Sequence, residues 1–215
     1  MQGGHRRMLR VGLTGGMACG KSTVGRMFSD LGAHLIEADN IAHELYRAGE
    51  PVYEELVAKF GKDIVRPDGQ IDRSRLATAA FDGGRVEELN KIVHPAVIKR
   101  QEQWMFQIGT KEPYAVAMVE AALILEAGLR GRFDKLIVVT CRPEQKVSRY
   151  AARSSMPESL ARAEVERRSK AQLSDEDKVR RADFVVDNSG PLELTRNQVE
   201  RTYSELRVLA KRKTF

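Results

Sequence analysis

The sequence predicts an α/β protein with a five-stranded parallel sheet, a helical insertion and a helical lid. Three observations predict it. Five short apolar runs each lead into helical periodicity or turn residues, the pattern of a parallel sheet with crossover helices. A glycine-rich loop separates the first run from an amphipathic stretch. Between the second and third runs lies a segment, 40–110, whose periodicity is helical and which is too long for a simple crossover.

The first strand is Leu9–Thr14, and Gly15–Ser22 behind it reads Gly-Gly-Met-Ala-Cys-Gly-Lys-Ser, a complete G-x-x-x-x-G-K-S loop. Glycines at such a turn let consecutive backbone N–H groups and a helix N-terminus face one anion. Lys21 reaches β- and γ-phosphates, and the Ser22 hydroxyl suits Mg²⁺. Val24, Met27, Phe28 and Leu31 then recur at helical spacing. Strand, loop and helix together mark a P-loop NTPase core that binds a nucleoside triphosphate.

The second strand is His34–Glu37. Helices are expected at Pro51–Phe60, Asp72–Phe81, Val86–Val93 and Ala96–Ile108, with Asp72 as a start signal and Asp82-Gly83-Gly84 as a stop. Strands follow at Tyr114–Val119, Lys135–Thr140 and Asp183–Val186, with Pro143 at a first helical position. The last helix, Leu192–Lys213, carries Leu194, Val199, Tyr203, Leu206 and Leu209 as its apolar face. The expected layout is a flexible extension over 1–8, with Met8 a candidate start, and a core of 9–39, 111–141 and 182–215. The insertion spans 40–110 and a basic lid spans 142–181.

With 42% hydrophobic and 31% charged residues, the 215-residue chain reads as a soluble globular protein. No apolar run nears the roughly 20 residues of a membrane helix, and the basic start lacks a signal-like apolar stretch. Cys19 and Cys141 make no disulfide framework. These features lead us to expect a cytoplasmic protein, monomeric or weakly homo-oligomeric, without a membrane partner. The net charge of +6 raises a nucleic-acid module as an alternative. Basic and acidic residues alternate, however, and no aromatic-basic stripe offers a stacking platform, so no nucleic-acid partner is expected. From Arg142 to Arg181, eleven Lys or Arg face seven Asp or Glu. That excess reads as a solvated helical face or as a cationic lid over phosphates.

The loop alone does not separate a kinase from a GTPase or a motor ATPase. The N-K-x-D base-recognition sequence of GTPases is absent, and a small chain with an insertion and a lid suits a small-molecule kinase, whose closure excludes water. Ile36–His43 ends the second strand, where an open α/β sheet presents residues to its ligand crevice. Asp39 there is either a base for an acceptor hydroxyl or the cap of a helix starting at Asn40, and the residues alone leave both open.

Gly12-Leu13-Thr14-Gly15-Gly16 with its loop, and Glu37-Ala38-Asp39-Asn40-Ile41-Ala42 after it, resemble the dephospho-coenzyme A kinase family. Further matches follow in order: His94-Pro95-Ala96-Val97 (H-P-x-V), Ala122–Glu126 (P-L-L-x-E), and Gln145, Arg149 and Arg153 (Q-x-x-x-R-x-x-x-R). Gln172, Lys178, Ala182-Asp183 and Asn188-Ser189-Gly190 complete the set. The resemblance runs from about Val11 to Gly190.

It implies ATP-dependent phosphorylation of the ribose 3′-hydroxyl of dephospho-coenzyme A, giving coenzyme A and ADP, the last step of coenzyme A biosynthesis. Another small nucleoside or nucleotide kinase of the same fold is the alternative. ATP and Mg²⁺ are the implied cofactors and dephospho-coenzyme A the implied acceptor, held by the insertion. Gly16, Ala18, Cys19, Gly20, Lys21, Ser22 and Thr23 would hold the ATP phosphates together with Asn188, with Ser22 on the metal. Asp39 becomes the favoured general base, with Lys21 and the lid residues Arg149 and Arg153 as the catalytic cations. The i, i+4 spacing of these arginines puts them on one helix face, able to fork onto phosphate oxygens.

Departures from the family pattern mark particular positions. Glu37 stands for the first aspartate of D-A-D, and Ala122-Leu123-Ile124 for P-L-L. Glu120 ends the third strand, where a carboxylate could hold Mg²⁺ through water, and the residues leave open whether it does. Cys19 reads as a tolerated loop substitution at which a thiol reagent would report ATP occupancy, and His94 as a buried, hydrogen-bonded histidine shaping the insertion.

Overall fold

The computed structural model describes residues 8–213. Residues 1–7, most of the expected extension, lie outside the described residues, while Met8 is fully buried. Two compact units emerge, one from the chain up to Leu35 together with Met105 onward, the other from Ile36 to Trp104.

Strands β1 (Leu9–Gly15), β2 (His34–Glu37, which begins in the first unit and ends in the second), β3 (Val116–Glu120), β4 (Lys135–Thr140) and β5 (Phe184–Asp187) form one sheet in the order β2-β3-β1-β4-β5. The β1–β3, β1–β4 and β4–β5 pairs are all parallel. Val11, Leu13, Met118, Ile137 and Val139 are buried, as befits a sheet covered on both faces. Tyr114 lies before β3, because the Ala115 amide turns back onto the Glu112 carbonyl (3.0 Å). From β1 the chain moves first to one side of the sheet and later to the other. The β1 carboxyl end is therefore a switch point, where α/β sheets bind ligands.

Helices α1 (Lys21–Asp30) and α9 (Leu192–Arg212) share a core in which Phe28 and Tyr203 meet edge-on, centroids 6.5 Å apart. The α9 face is rotated from the expected one at its start. Leu194 is 56% exposed and Thr195 is buried, because the Thr195 hydroxyl reaches back to Asn188 Oδ1 (3.1 Å). Leu31, expected on the apolar face of α1, is its exposed C-cap.

The second unit holds α2 (Ala38–Leu45), α3 (Pro51–Phe60), α4 (Arg73–Phe81) and most of α5 (Val86–Lys111) around Ile41, Leu56, Ile64, Leu76 and Ala80. Asp72 caps α4 by accepting from the Ser74 and Arg75 amides. The expected break between Val93 and Ala96 does not occur, and α5 runs through Pro95. Proline removes one backbone donor there. Buried Val93 with Ile92, Ala96 and Val97, all packed on the same core, hold the helix in register across the gap.

The basic segment forms α6 (Pro143–Ser154), α7 (Glu158–Lys170) and α8 (Asp175–Arg180), with Val147, Tyr150, Ala161 and Val165 packed on Met17 of the loop after β1. Much of its positive charge is compensated locally. Arg162 pairs with Glu158, Arg167 and Arg168 with Glu164, and Arg180 with Asp177.

Candidate active site

The loop after β1 is shaped by its glycines. Gly20 adopts φ +91°, and a Cβ there would stand 2.2 Å from Asn188 Nδ2. Ala18 carries a left-handed φ of 55°, the kind of turn conformation in which successive amides can form an anion-binding concavity. Gly20 is the N-cap of α1, without a side-chain cap and without an acidic residue in the first turn. With no side chain capping it, this helix N-terminus presents its dipole to an anion. Lys21 Nζ donates to the Gly15 and Gly16 carbonyls at 3.2 and 3.1 Å, arching across the loop.

Asn188 fixes the loop from the far side. It is 2% exposed and donates to the Cys19 carbonyl at 2.8 Å while accepting from Thr195. Arg149, half-buried on α6, donates to that same Cys19 carbonyl (3.3 Å) and to the Asn188 carbonyl (2.9 Å). Gln145 completes the clasp through the Ser189 carbonyl (3.0 Å). Cys19, Gly20, Lys21, Arg149 and Asn188 thus gather at one place. Arg153 is not brought there; its guanidinium lies over the Tyr150 ring, 5.5 Å from the centroid, and is exposed.

Ser22 Oγ donates to Glu120 Oε1 at 2.8 Å, and Glu120 is buried at the carboxyl end of β3. A hydroxyl and a carboxylate so placed fit Mg²⁺, which takes one or two protein oxygens and completes its shell with waters and substrate phosphates. Among the described residues no cluster of three His, Cys, Asp or Glu could hold a metal by itself.

Two residues the sequence reading passed over stand against the loop. Lys146 is buried and pairs with Asp175, and a Cβ on Gly16 would meet Asp175 Oδ1 at 2.7 Å and Lys146 Nζ at 2.9 Å. Burial opposes the Lys146 charge, but Asp175 and the Cys19 sulfur outweigh it and raise the ammonium above the usual lysine value. The available signal was position: Lys146 is one turn before Arg149 on α6. The Cys141 thiol donates to Cys19, which outweighs burial and, helped by Lys146, lowers the Cys19 thiol to about 7 while Cys141 is pushed up. Cys19 is fully buried, so the expected thiol probe of ATP occupancy has no access to it.

Asp39 belongs to the second unit. Helix α2 starts at Ala38 with Glu37 as N-cap and no side-chain cap, so Asp39 lies in the first turn, exposed, and is not the helix cap. His94 is exposed, against the expected buried histidine. Three separate pieces of the sequence pattern converge instead: fully buried Lys178 pairs with Glu126 (3.1 Å) and donates to Gln172 (2.9 Å).

Comparison with known proteins agrees with this geometry. The sequence model of the family described as dephospho-CoA kinase matches residues 9–193. The dephospho-CoA kinase of Aquifex aeolicus is 42% identical over 93% of this chain and 98% of its own. That of Moorella thermoacetica is 39% identical over 93% and 92%. A Thermus thermophilus crystal structure superposes with a TM-score of 0.76 at 28% identity, covering 93% of this chain and 98% of its own. A Bacteroides thetaiotaomicron shikimate kinase, at 14% identity and a TM-score of 0.55 over 93% and 98% of the two chains, shares the fold alone.

Parallel sheet, phosphate cradle and these neighbours define a P-loop kinase. Within that class the chain belongs to the dephospho-CoA kinase family.

Proposed function

We propose that the enzyme transfers the γ-phosphoryl of ATP to the ribose 3′-hydroxyl of dephospho-coenzyme A, releasing coenzyme A and ADP in the last step of coenzyme A biosynthesis. The observation that carries this reading is the family match across residues 9–193, joined to a loop whose helix donors have no cap of their own.

In this reading Gly16, Ala18, Cys19, Gly20, Lys21, Ser22 and Thr23 hold the ATP phosphates through backbone amides and the Lys21 ammonium. Asn188 acts through the Cys19 carbonyl, which it fixes at 2.8 Å. Arg149, already forked onto two carbonyls beside the loop, stabilises charge on the transferring group, with Arg153 as a second cation from the same helix. Asp39 takes the proton of the 3′-hydroxyl as oxygen attacks phosphorus. Ser22 and Glu120 would hold Mg²⁺, which supplies charge neutralisation at the β- and γ-phosphate oxygens.

The unit of residues 36–104 binds the acceptor and the 142–181 segment acts as the lid, in a cytoplasmic enzyme that is monomeric or weakly homo-oligomeric and needs no nucleic acid. Among the described residues no helix is long and apolar enough to cross a membrane. Incubation with Mg-ATP and dephospho-coenzyme A, followed by mass, tests the activity. A gain of one phosphoryl on the acceptor is expected, and none from folded enzyme would overturn the proposal.

A further inference from the structure

The 36–104 unit contains a cavity of about 530 Å³ whose lining includes His43, Tyr46, Arg47, Arg66, Asp72 and Arg73. Its charge is one-sided. Three guanidiniums face a single carboxylate, and Asp72 is already engaged by the Ser74 and Arg75 amides and by the Arg75 side chain. Arg66 pairs with Asp68 at 3.5 Å on the exposed surface. Among the described residues Arg47 and Arg73 have no ion-pair partner; Arg73 meets the His43 ring instead. A second cavity of similar size, about 520 Å³, is different in kind, because Lys59 and Lys91 there are matched by Glu55 and Glu88. Three arginines lining one concavity, two of them without an ion-pair partner among the described residues, raise a local field for an anion, and their planar forks fit phosphate oxygens.

The cavity has a fixed relation to Asp39. Asp39, His43 and Tyr46 follow one another at helical spacing on α2 and its C-cap, and Arg47 is the next residue. The Asp39 charge acts on both His43 and Tyr46. One helical turn, roughly 5.4 Å, separates the Asp39 and His43 levels. In dephospho-coenzyme A the reacting 3′-hydroxyl and the 5′-diphosphate lie on opposite sides of one ribose, a comparable span. The diphosphate is also the only anionic part of that acceptor.

We propose that this cavity seats the acceptor's diphosphate, with Arg47, Arg66 and Arg73 as its ligands and specificity determinants, so that α2 presents the 3′-hydroxyl to Asp39. The assignment rests on the proposed activity. Burial first, and then the Arg73 charge, keep His43 below its ordinary value, so near neutral pH it is an uncharged partner for the arginine.

The test is steady-state kinetics on the full chain with Arg47→Ala, Arg66→Ala and Arg73→Ala, each beside its Arg→Lys counterpart. Each alanine variant should raise the KM for dephospho-coenzyme A by roughly tenfold or more, the scale of a lost charged hydrogen bond. The KM for ATP and the turnover at saturating acceptor should stay within about twofold, and lysine should restore part of the loss. An acceptor KM unchanged in all three alanine variants overturns the assignment, as does a parallel rise in the KM for ATP, which marks a general structural defect. Wild-type coenzyme A formation is read in the same assay. Its absence would sink the activity itself, whereas an active wild type with unaffected variants sinks only the diphosphate seat.

Discussion

Ser22 Oγ and Glu120 Oε1 lie 2.8 Å apart, joining the first turn of α1 to the carboxyl end of β3 across two neighbouring strands. The sheet register sets this distance: Leu13 pairs with Glu120, so the loop beginning two residues later returns its hydroxyl to the same level.

Glu120→Gln should therefore weaken the enzyme's hold on Mg²⁺ while leaving the loop formed. Outer partners of a metal typically contribute 10–100-fold in affinity or activity. We expect the Mg²⁺ concentration for half-maximal turnover to rise by about that factor. The metal-dependent part of the ATP-induced rise in Tm should shrink in parallel. An unchanged Mg²⁺ titration would assign Glu120 to the fold alone.

Asp39→Asn separates proton transfer from binding. Asparagine keeps the size and helix position of Asp39 but accepts no proton, so turnover should fall by about 10²–10⁴-fold, the usual contribution of a positioned base. The KM for ATP should hardly move. Because Asp39 caps no helix, Tm should also stay near the wild-type value. Near-wild-type turnover would remove Asp39 from the chemistry.

Much of this architecture is legible in the sequence, and the exceptions share a cause. Strand limits fall within about two residues of the expected ones, because a doubly covered strand is a continuous apolar run that ends where turn residues begin. The loop is visible because its glycines, lysine and serine are consecutive. Failures arise where distant segments decide. Pro95 reads as a break until the core on both sides of it is known. Leu194 reads as buried until Thr195 is seen bonded to Asn188. Lys146 with Asp175 stands on the loop through a contact spanning 29 positions. Arg47, Arg66 and Arg73 lie on three different segments, so no local pattern connects them. The residues matched to the family one by one acquire a physical reason only as a group, as Glu126, Gln172 and Lys178 do.

The α7 clasp should leave a pH signature in stability. Hydrogen bonds from Arg167 and then Arg168 hold the Glu164 carboxyl at about 2, below its ordinary 4.5. A carboxyl depressed in the folded state stabilises it fully above the unfolded value and loses that contribution as pH falls toward the folded one. The clasp is on the surface, where solvent limits such pairs to about 0.5 kcal/mol. Urea midpoints of wild type and Glu164→Gln should differ slightly at pH 7 and converge between pH 4.5 and 2. A gap that persists at the acid end would show that the glutamine side chain itself, rather than lost charge, is responsible.

Lys178 offers the largest single effect on stability. Its side chain is fully buried, and its ammonium is compensated by Glu126 Oε1 at 3.1 Å and Gln172 Oε1 at 2.9 Å. Glu126 also accepts from the Leu173 amide at 3.0 Å, while its Oε2 is buried without a hydrogen-bond partner among the described residues. The network therefore ties the turn after β3 to the segment between α7 and α8. Lys178→Met keeps the apolar stem and strips Glu126 of its counter-charge. Breaking a buried pair from one side costs about 3–5 kcal/mol, and the 16% exposure of Glu126 places the expected loss at the lower end of that range. Adding Glu126→Gln should recover part of the loss, since the amide oxygen still receives the Leu173 N–H and no charge is left buried. Urea unfolding of the two variants distinguishes the cases. If the double variant is less stable than Lys178→Met, the pair is held for packing and not for charge.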